Sequence, residues 1–449
     1  MRWGRMTPHR SGSKEGCPDP GPGKRCREPR TSDVYNGGHM LRTQNMKYLV
    51  KSLLPNWAMP YARGLREVAA AWHYWVPYVF RDGLAYPPQT VVLEVTYRCN
   101  LKCVMCPQAI DLMNPQSVLR AQMKEKRELT TDEIVNVIRQ ASQLDVKRFQ
   151  ITGGEAFLRR DIMQILSAVK EHGMACPIIS NGGLMTEESA REIVRIGVDK
   201  ITLSLDGPED IHNQIRQNKH QFQDVMEAVR LIQAEKRRQK RNVPDLTLNV
   251  TVSALNAGRM SELVDIAAKE GVNVNYGYLY YISKDMDRRT RALYPPTGGK
   301  PEDQDVPMPI RSVNVDVLEQ QIGRAETRAA QLGVKTTLSP NIRSKEELRR
   351  RFYDDDYAYV NTCFYPWNVM RINPYGDVYT CQMNITAGNV RDKKLEELWN
   401  GEAYVKFRRD LRQVGLWPLC TKCCALQTKL WDRLPKLRVV WDRNGASSH

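Results

Sequence analysis

The sequence predicts an α/β fold: a partial (β/α)6, TIM-like barrel followed by a small cysteine-rich C-terminal domain. Three observations predict it. Between residues 90 and 282, short β-branched runs alternate with amphipathic stretches, giving six strands, the pattern of parallel strands joined by right-handed helical crossovers. The links are short, which suits helices laid outside a curved sheet. From about residue 353 the alternation stops, and cysteines with hairpin signals such as "NPYGDVYT" replace it.

The elements follow in order. Residues 1–45 are rich in Pro, Gly and Arg, cannot bury a core, and read as a disordered basic segment. Residues 46–89 hold an aromatic-rich helical segment, in which Trp72, Trp75 and Phe80 pack on the main domain or rest on a membrane surface. The core spans 90–283. "TVVLEVTY" is its first strand, and "TTDEIVNVIRQASQLD" is a helix capped by Thr130 or Thr131. "KRFQITGG", "ACPIISNG", "DKITLSLDG", "LTLNVTVSAL" and "VNVNYGYLYYI" are the strands that follow, each separated from the next by a helix. Residues 284–311 are polar and rich in Pro and Gly, a lid or linker. Residues 312–352 are a helical linker, and 353–449 form the second domain.

At 449 residues, 41% of them hydrophobic and 26% charged, the chain has material for a large core. No apolar run reaches membrane-spanning length, so a soluble, cytoplasmic protein is expected. The net charge is +16. The runs at 235–241 and 343–352 read as solvated helix faces. Nothing interleaves aromatic and basic residues as an RNA-stacking platform does, which argues against nucleic acid.

Among 11 cysteines, Cys99, Cys103 and Cys106 crowd into "TYRCNLKCVMCPQ". One disulfide would strand a third thiol, and a closed zinc site wants four ligands. Three thiolates suit a [4Fe–4S] cube with one iron left open; three buried structural cysteines, or a zinc completed from afar, are the alternatives. After the second strand, "QITGGEAF" places Gly153, Gly154 and Glu155. The glycines let backbone come close to a ligand, and the carboxylate suits an ammonium group.

Together the C-x3-C-x2-C loop and the "TGGE" after the second strand resemble the radical S-adenosylmethionine (SAM) superfamily over about residues 90–282. The resemblance implies that SAM binds the open iron and is cleaved to methionine and a 5′-deoxyadenosyl radical, which takes hydrogen from a substrate. It implies that Gly153, Gly154 and Glu155 hold the methionine amino group, and that Ser204, Asp206 and Asn256 contact ribose or carboxylate, ordinary turn roles being the alternative for these three. The family usually has an aromatic residue before its third cysteine, where this chain has Met105. Tyr276, Tyr278, Tyr280 and Tyr281 are candidates for chemistry by location, with core packing as the alternative.

Further on, Cys363 and Cys381, with Gly376 opening a G-x4-C element, precede Cys420 and Cys423. This resembles the SPASM extension in its shortened, twitch-like form. It implies a second, auxiliary [4Fe–4S] cluster on these four cysteines, with Cys424 able to replace Cys423 and zinc as the other reading. An electron donor such as flavodoxin or ferredoxin is implied as well. The expected function is oxidative or bond-forming modification of a small-molecule intermediate; peptide modification is the alternative, and a non-catalytic Fe–S scaffold a third reading.

Overall fold

The computed structural model describes residues 72–294, 307–381, 383 and 385–426. The expected disordered segment 1–45 lies outside the described residues, as do 46–71 and 295–306.

Six strands stand where their β-branched runs place them: β1 (Thr90–Glu94), β2 (Arg148–Thr152), β3 (Pro177–Ser180), β4 (Lys200–Ser204), β5 (Asp245–Val252) and β6 (Asn273–Tyr278). Each pairs parallel with the next. Val91, Leu93, Phe149, Ile151, Ile178, Ile201, Leu203 and Val250 are fully buried along them. That burial supplies the main driving force, at about 25 cal/mol per Å² of apolar surface removed from water. The helix Thr131–Gln143 shows how the connections work. Thr130 caps it in a reciprocal box with Glu133, and Ile134, Val137, Ile138 and Ala141 face the core at helical spacing.

The sheet does not stop at six strands. β7 (Thr336–Ser339), inside the stretch read as a helical linker, pairs parallel with β6. β8 (Val369–Ile372) pairs parallel with β1, and β9 (Asp377–Tyr379) and β10 (Thr386–Asn389) continue antiparallel beyond it. The order is β10-β9-β8-β1-β2-β3-β4-β5-β6-β7, an open sheet. The C-terminal cysteine-rich segment therefore begins as a continuation of the core sheet. Local periodicity reveals a strand but not its partner, so this join was not readable.

Two other stretches differ from expectation. The 284–311 segment opens with a helix, Lys284–Leu293, capped by Ser283 and laced by Arg291–Asp287 and Arg289–Asp285 ion pairs. Its few apolar residues hid the helical period. At the N-terminal side, residues 72–80 are helical. Tyr74 and Tyr78 stack on Phe364 at ring distances of 5.0 and 4.9 Å. Trp75 is half-buried against the same core, whereas Trp72 and Phe80 are exposed, because 74 and 78 share the face that meets the domain. Among the described residues no helix is long and apolar enough to cross a membrane.

Candidate active site and second cysteine site

Parallel strands bring their C-terminal ends to one edge, where the connecting loops can converge on a ligand. The loop after β1 carries Cys99, Cys103 and Cys106. The β2 ladder runs on beside it, since Val95 N donates to Thr152 O (2.8 Å), Gly154 N to Thr96 O (2.8 Å) and Glu155 N to Arg98 O (2.9 Å). A Cβ at Gly153 would strike the Thr96 carbonyl, and one at Gly154 that of Arg98. The two glycines thus let the β2 exit lie flat against the cysteine loop.

Glu155 is buried, and its carboxylate is fully engaged by protein. Oε1 accepts from Phe157 N (3.1 Å) and Ser180 Oγ (2.9 Å), and Oε2 accepts from Asn181 N (2.7 Å). Burial nonetheless pushes its pKa above the usual carboxylate range. Asn181 in turn donates to Asn100 Oδ1 at 2.7 Å, so Glu155 ties the β3 exit to the cysteine loop.

Within that loop Cys99 is exposed and Cys103 is buried. Leu101 N donates to the Cys99 sulfur at 3.5 Å. Val104 N donates to Ile215 O at 3.0 Å, fastening the loop to the helix Glu209–Arg216. The last residue of that helix, Arg216, is buried. Its Nη1 donates to Cys103 Sγ at 3.5 Å, and its Nη2 stands 2.6 Å from Asp206. Burial raises the Cys103 thiol against the pull of Arg216. Met105 shares an apolar cluster with Leu101, Cys103, Ile215, Leu279 and Tyr281.

Ser204, half-buried, ends β4. Asp206 and Asn256 are both buried and bonded to the backbone of neighbouring strand exits. Asp206 Oδ1 accepts from Thr251 N (2.9 Å), while Asn256 Nδ2 donates to Asp206 O (2.8 Å) and Thr251 O (2.9 Å). They brace the exits of β4 and β5. Tyr276, Tyr278 and Tyr281 donate to the carbonyls of Met260, Ile342 and Phe352 and serve packing.

A second site gathers cysteines from distant parts of the chain. Cys363, Cys381, Cys420 and Cys423 line one small cavity, closed by aromatic side chains including Tyr280 and Trp417. Cys424 is exposed and does not line it. Met383 N donates to Cys381 Sγ and Ala425 N to Cys423 Sγ, both at 3.3 Å, the same i+2 N–H···S contact seen at Cys99. Cys176 is buried alone in the core, and Cys17 and Cys26 lie outside the described residues. One short segment reaches both sites: Leu279 and Tyr281 pack in the Cys103 cluster, and Tyr280 lines the second cavity.

The Radical SAM superfamily model matches residues 93–250, and an iron–sulfur cluster-binding domain model, SPASM, matches residues 363–424. The chain carries a radical SAM domain followed by a SPASM domain, and it is a radical SAM enzyme whose cofactors are [4Fe–4S] clusters and SAM. It is 24% identical over 352 residues to an AdoMet-dependent heme synthase of Methanosarcina barkeri, covering 75% of this chain and 90% of that protein. To a PqqA peptide cyclase of Xanthomonas campestris pv. campestris it is 26% identical over 333 residues, covering 72% and 76%. Among solved structures it resembles SuiB of Streptococcus suis, with a TM-score of 0.52, 14% identity and coverage of 86% and 83%.

The residues present fit the radical SAM cofactors. Soft thiols from a single loop, backbone N–H groups aimed at sulfur, and a buried guanidinium beside Cys103 are the donor chemistry of an iron–sulfur site. Sequence reasoning missed Arg216. Its signal was slight: an arginine ending the helix that follows "SLDG".

Proposed function

We propose that this radical SAM enzyme oxidises its substrate, or forms a bond in it, by hydrogen abstraction followed by electron transfer to an auxiliary cluster. The observation that carries this reading is the Leu279–Tyr281 segment, which touches both cysteine sites. Cys99, Cys103 and Cys106 would hold the catalytic [4Fe–4S] cluster, and Cys363, Cys381, Cys420 and Cys423 the auxiliary one. Bound there, the catalytic cluster and SAM supply reductive cleavage of a carbon–sulfur bond, giving methionine and a 5′-deoxyadenosyl radical.

The chain's own groups have narrower tasks. Gly153 and Gly154 allow the close approach of the β2 exit to the cysteine loop, and Glu155 orders the edge on which the methionine part of SAM would lie. Ser204 remains the candidate for a ribose or carboxylate contact, while Asp206 and Asn256 hold the strand exits that frame it. Arg216 offsets the negative charge of thiolates at Cys103.

A cluster is favoured over zinc at the second site. The match of residues 363–424 to an iron–sulfur cluster-binding domain supports the cluster.

For the substrate, the match to the PqqA peptide cyclase and the likeness of fold to SuiB bound to its precursor peptide SuiA support a peptide. A small molecule is the second reading, favoured by the heme synthase match that spans 90% of that relative. A one-electron donor of the flavodoxin or ferredoxin kind would reduce the catalytic cluster. The test is anaerobic incubation of reconstituted, dithionite-reduced protein with SAM. Release of 5′-deoxyadenosine is expected even without substrate, and its absence overturns the reading. Peptides encoded beside this gene are then assayed by mass spectrometry for loss of hydrogen; none modified, with a small molecule turned over instead, moves the substrate to the second reading.

A further inference from the structure

The helix Lys345–Tyr353 carries Arg351 into the interior, 1% exposed, although its basic run reads as a solvated face. Arg351 Nη2 donates to Leu279 O at 3.0 Å and to Lys422 O at 2.8 Å. The first carbonyl belongs to the segment that reaches both cysteine sites, and the second lies between Cys420 and Cys423. Nη1 has no hydrogen-bond partner among the described residues. Tyr281, Cys424, Tyr359 and Cys423 are the titratable groups that act most on Arg351, and none of them is a carboxylate.

A second cation lies alongside. Lys422 is fully buried, and its Nζ donates to the carbonyls of Asp354 (2.6 Å), Arg350 (3.3 Å) and Tyr357 (3.5 Å). Asp354, Asp355 and Asp356 act electrostatically on Lys422, which leaves Arg351 as the buried charge in need of an anion. A guanidinium taken out of water without a counter-ion is strongly disfavoured. Something anionic belongs within its reach, and the thiols of Cys423 and Cys424 are among the groups that act on it.

We propose that Arg351 is the counter-charge of the auxiliary cluster and raises its midpoint potential. The proposal rests on the assignment of Cys363, Cys381, Cys420 and Cys423 as ligands. A cube held by four thiolates carries two negative charges when oxidised and three when reduced, so a fixed buried cation stabilises the reduced form more. The potential rises, and the cluster accepts an electron more readily. Zinc on the same thiols would also balance the guanidinium, but it takes up no electron. The arginine's hold on Leu279 O places this charge beside the chain segment that links the two sites.

The test uses the full chain with Cys99, Cys103 and Cys106 replaced by Ala, so that only the second site can bind iron. Mössbauer spectra and iron analysis establish whether a cube is present, and an EPR-monitored potentiometric titration reads its midpoint. In that background Arg351→Gln should keep the cube and lower the midpoint, while Arg351→Lys should keep both. An intact cube with an unchanged midpoint in Arg351→Gln overturns the proposal and leaves the cluster assignment standing. A parent protein holding zinc or no metal overturns the ligand assignment itself. Should Arg351→Gln lose the cube, Arg351→Lys decides: a cube kept at the parental midpoint upholds the charge role, and a cube lost there too reduces Arg351 to a structural hydrogen-bond donor.

Discussion

Arg216 reaches the Cys103 sulfur at 3.5 Å while Asp206, buried, stands 2.6 Å from the other end of its guanidinium. A residue expected to touch cofactor thus pairs with one that touches a cysteine. Breaking one partner of a buried ion pair costs about 3–5 kcal/mol. Arg216→Met should lose stability on that scale in urea unfolding. Combining it with Asp206→Asn should lose less than the sum of the single changes, since the stranded carboxylate is gone. Strict additivity would mean that the pair does not interact.

Glu155→Gln should both loosen the fold and weaken SAM binding. Three donors converge on the carboxylate, and an amide offers only one oxygen to them. A buried donor left without an acceptor costs about 1–3 kcal/mol. The dissociation constant for SAM, read by calorimetry on reconstituted protein, should rise about ten- to a hundredfold. A normal unfolding midpoint combined with weak SAM binding would make Glu155 a direct ligand contact and not a strut.

His212 makes stability sensitive to acid. Its ring is fully buried, and Nδ1 accepts from Asp206 N at 3.0 Å, which requires the neutral form. Burial, with Arg216 adding to it, pushes the pKa down to about 3. The unfolded chain takes up a proton below about 6.5 that the folded chain refuses. The stabilising difference is complete above that pH. It is lost as pH falls toward 3, at up to about 1.4 kcal/mol per pH unit. His212→Asn should flatten this part of the profile when urea midpoints are compared at pH 7 and pH 5. Parallel profiles for the two proteins would refute the assignment.

Iron content should divide between the two cysteine sets. If each holds a four-iron cube, the reconstituted wild type should carry about eight irons per chain, and the variant lacking Cys99, Cys103 and Cys106 about half. Cys103→Ala alone should abolish release of 5′-deoxyadenosine without precipitating the protein. Retained cleavage by Cys103→Ala would falsify the first assignment.

Much of the fold was legible because its first six strands announce themselves by β-branched runs and short links, and the cysteine loop and "TGGE" stand at strand ends. What escaped was pairing across long separations. Nothing local in "VMRI" says that it lies beside β1. Glu155, Asp206 and Asn256 have polar side chains that could serve a ligand or the backbone, and nothing local in the sequence shows the backbone groups they meet. Arg216 and Arg351 sit in helices whose composition reads as solvent-facing, since charge patterning cannot reveal that one residue in a basic run turns inward. Cys423 and Cys424 are adjacent; the C-x2-C spacing from Cys420 favours Cys423, and in the structure Cys423 lines the cavity while Cys424 is exposed.

The pairing of β1 with β8 also sets a schedule for folding. Residues 90–94 leave the ribosome early, and one of their two hydrogen-bonding neighbours is residues 369–372. At about 5–20 residues per second, β1 keeps a bare edge for on the order of tens of seconds while the rest of the chain is made. An exposed apolar strand edge is a template for pairing with other chains, and contacts this distant in sequence close slowly. Until its last strands arrive, the nascent protein therefore carries an edge open to pairing with other chains. Truncation anywhere before residue 369 would leave that edge open for good.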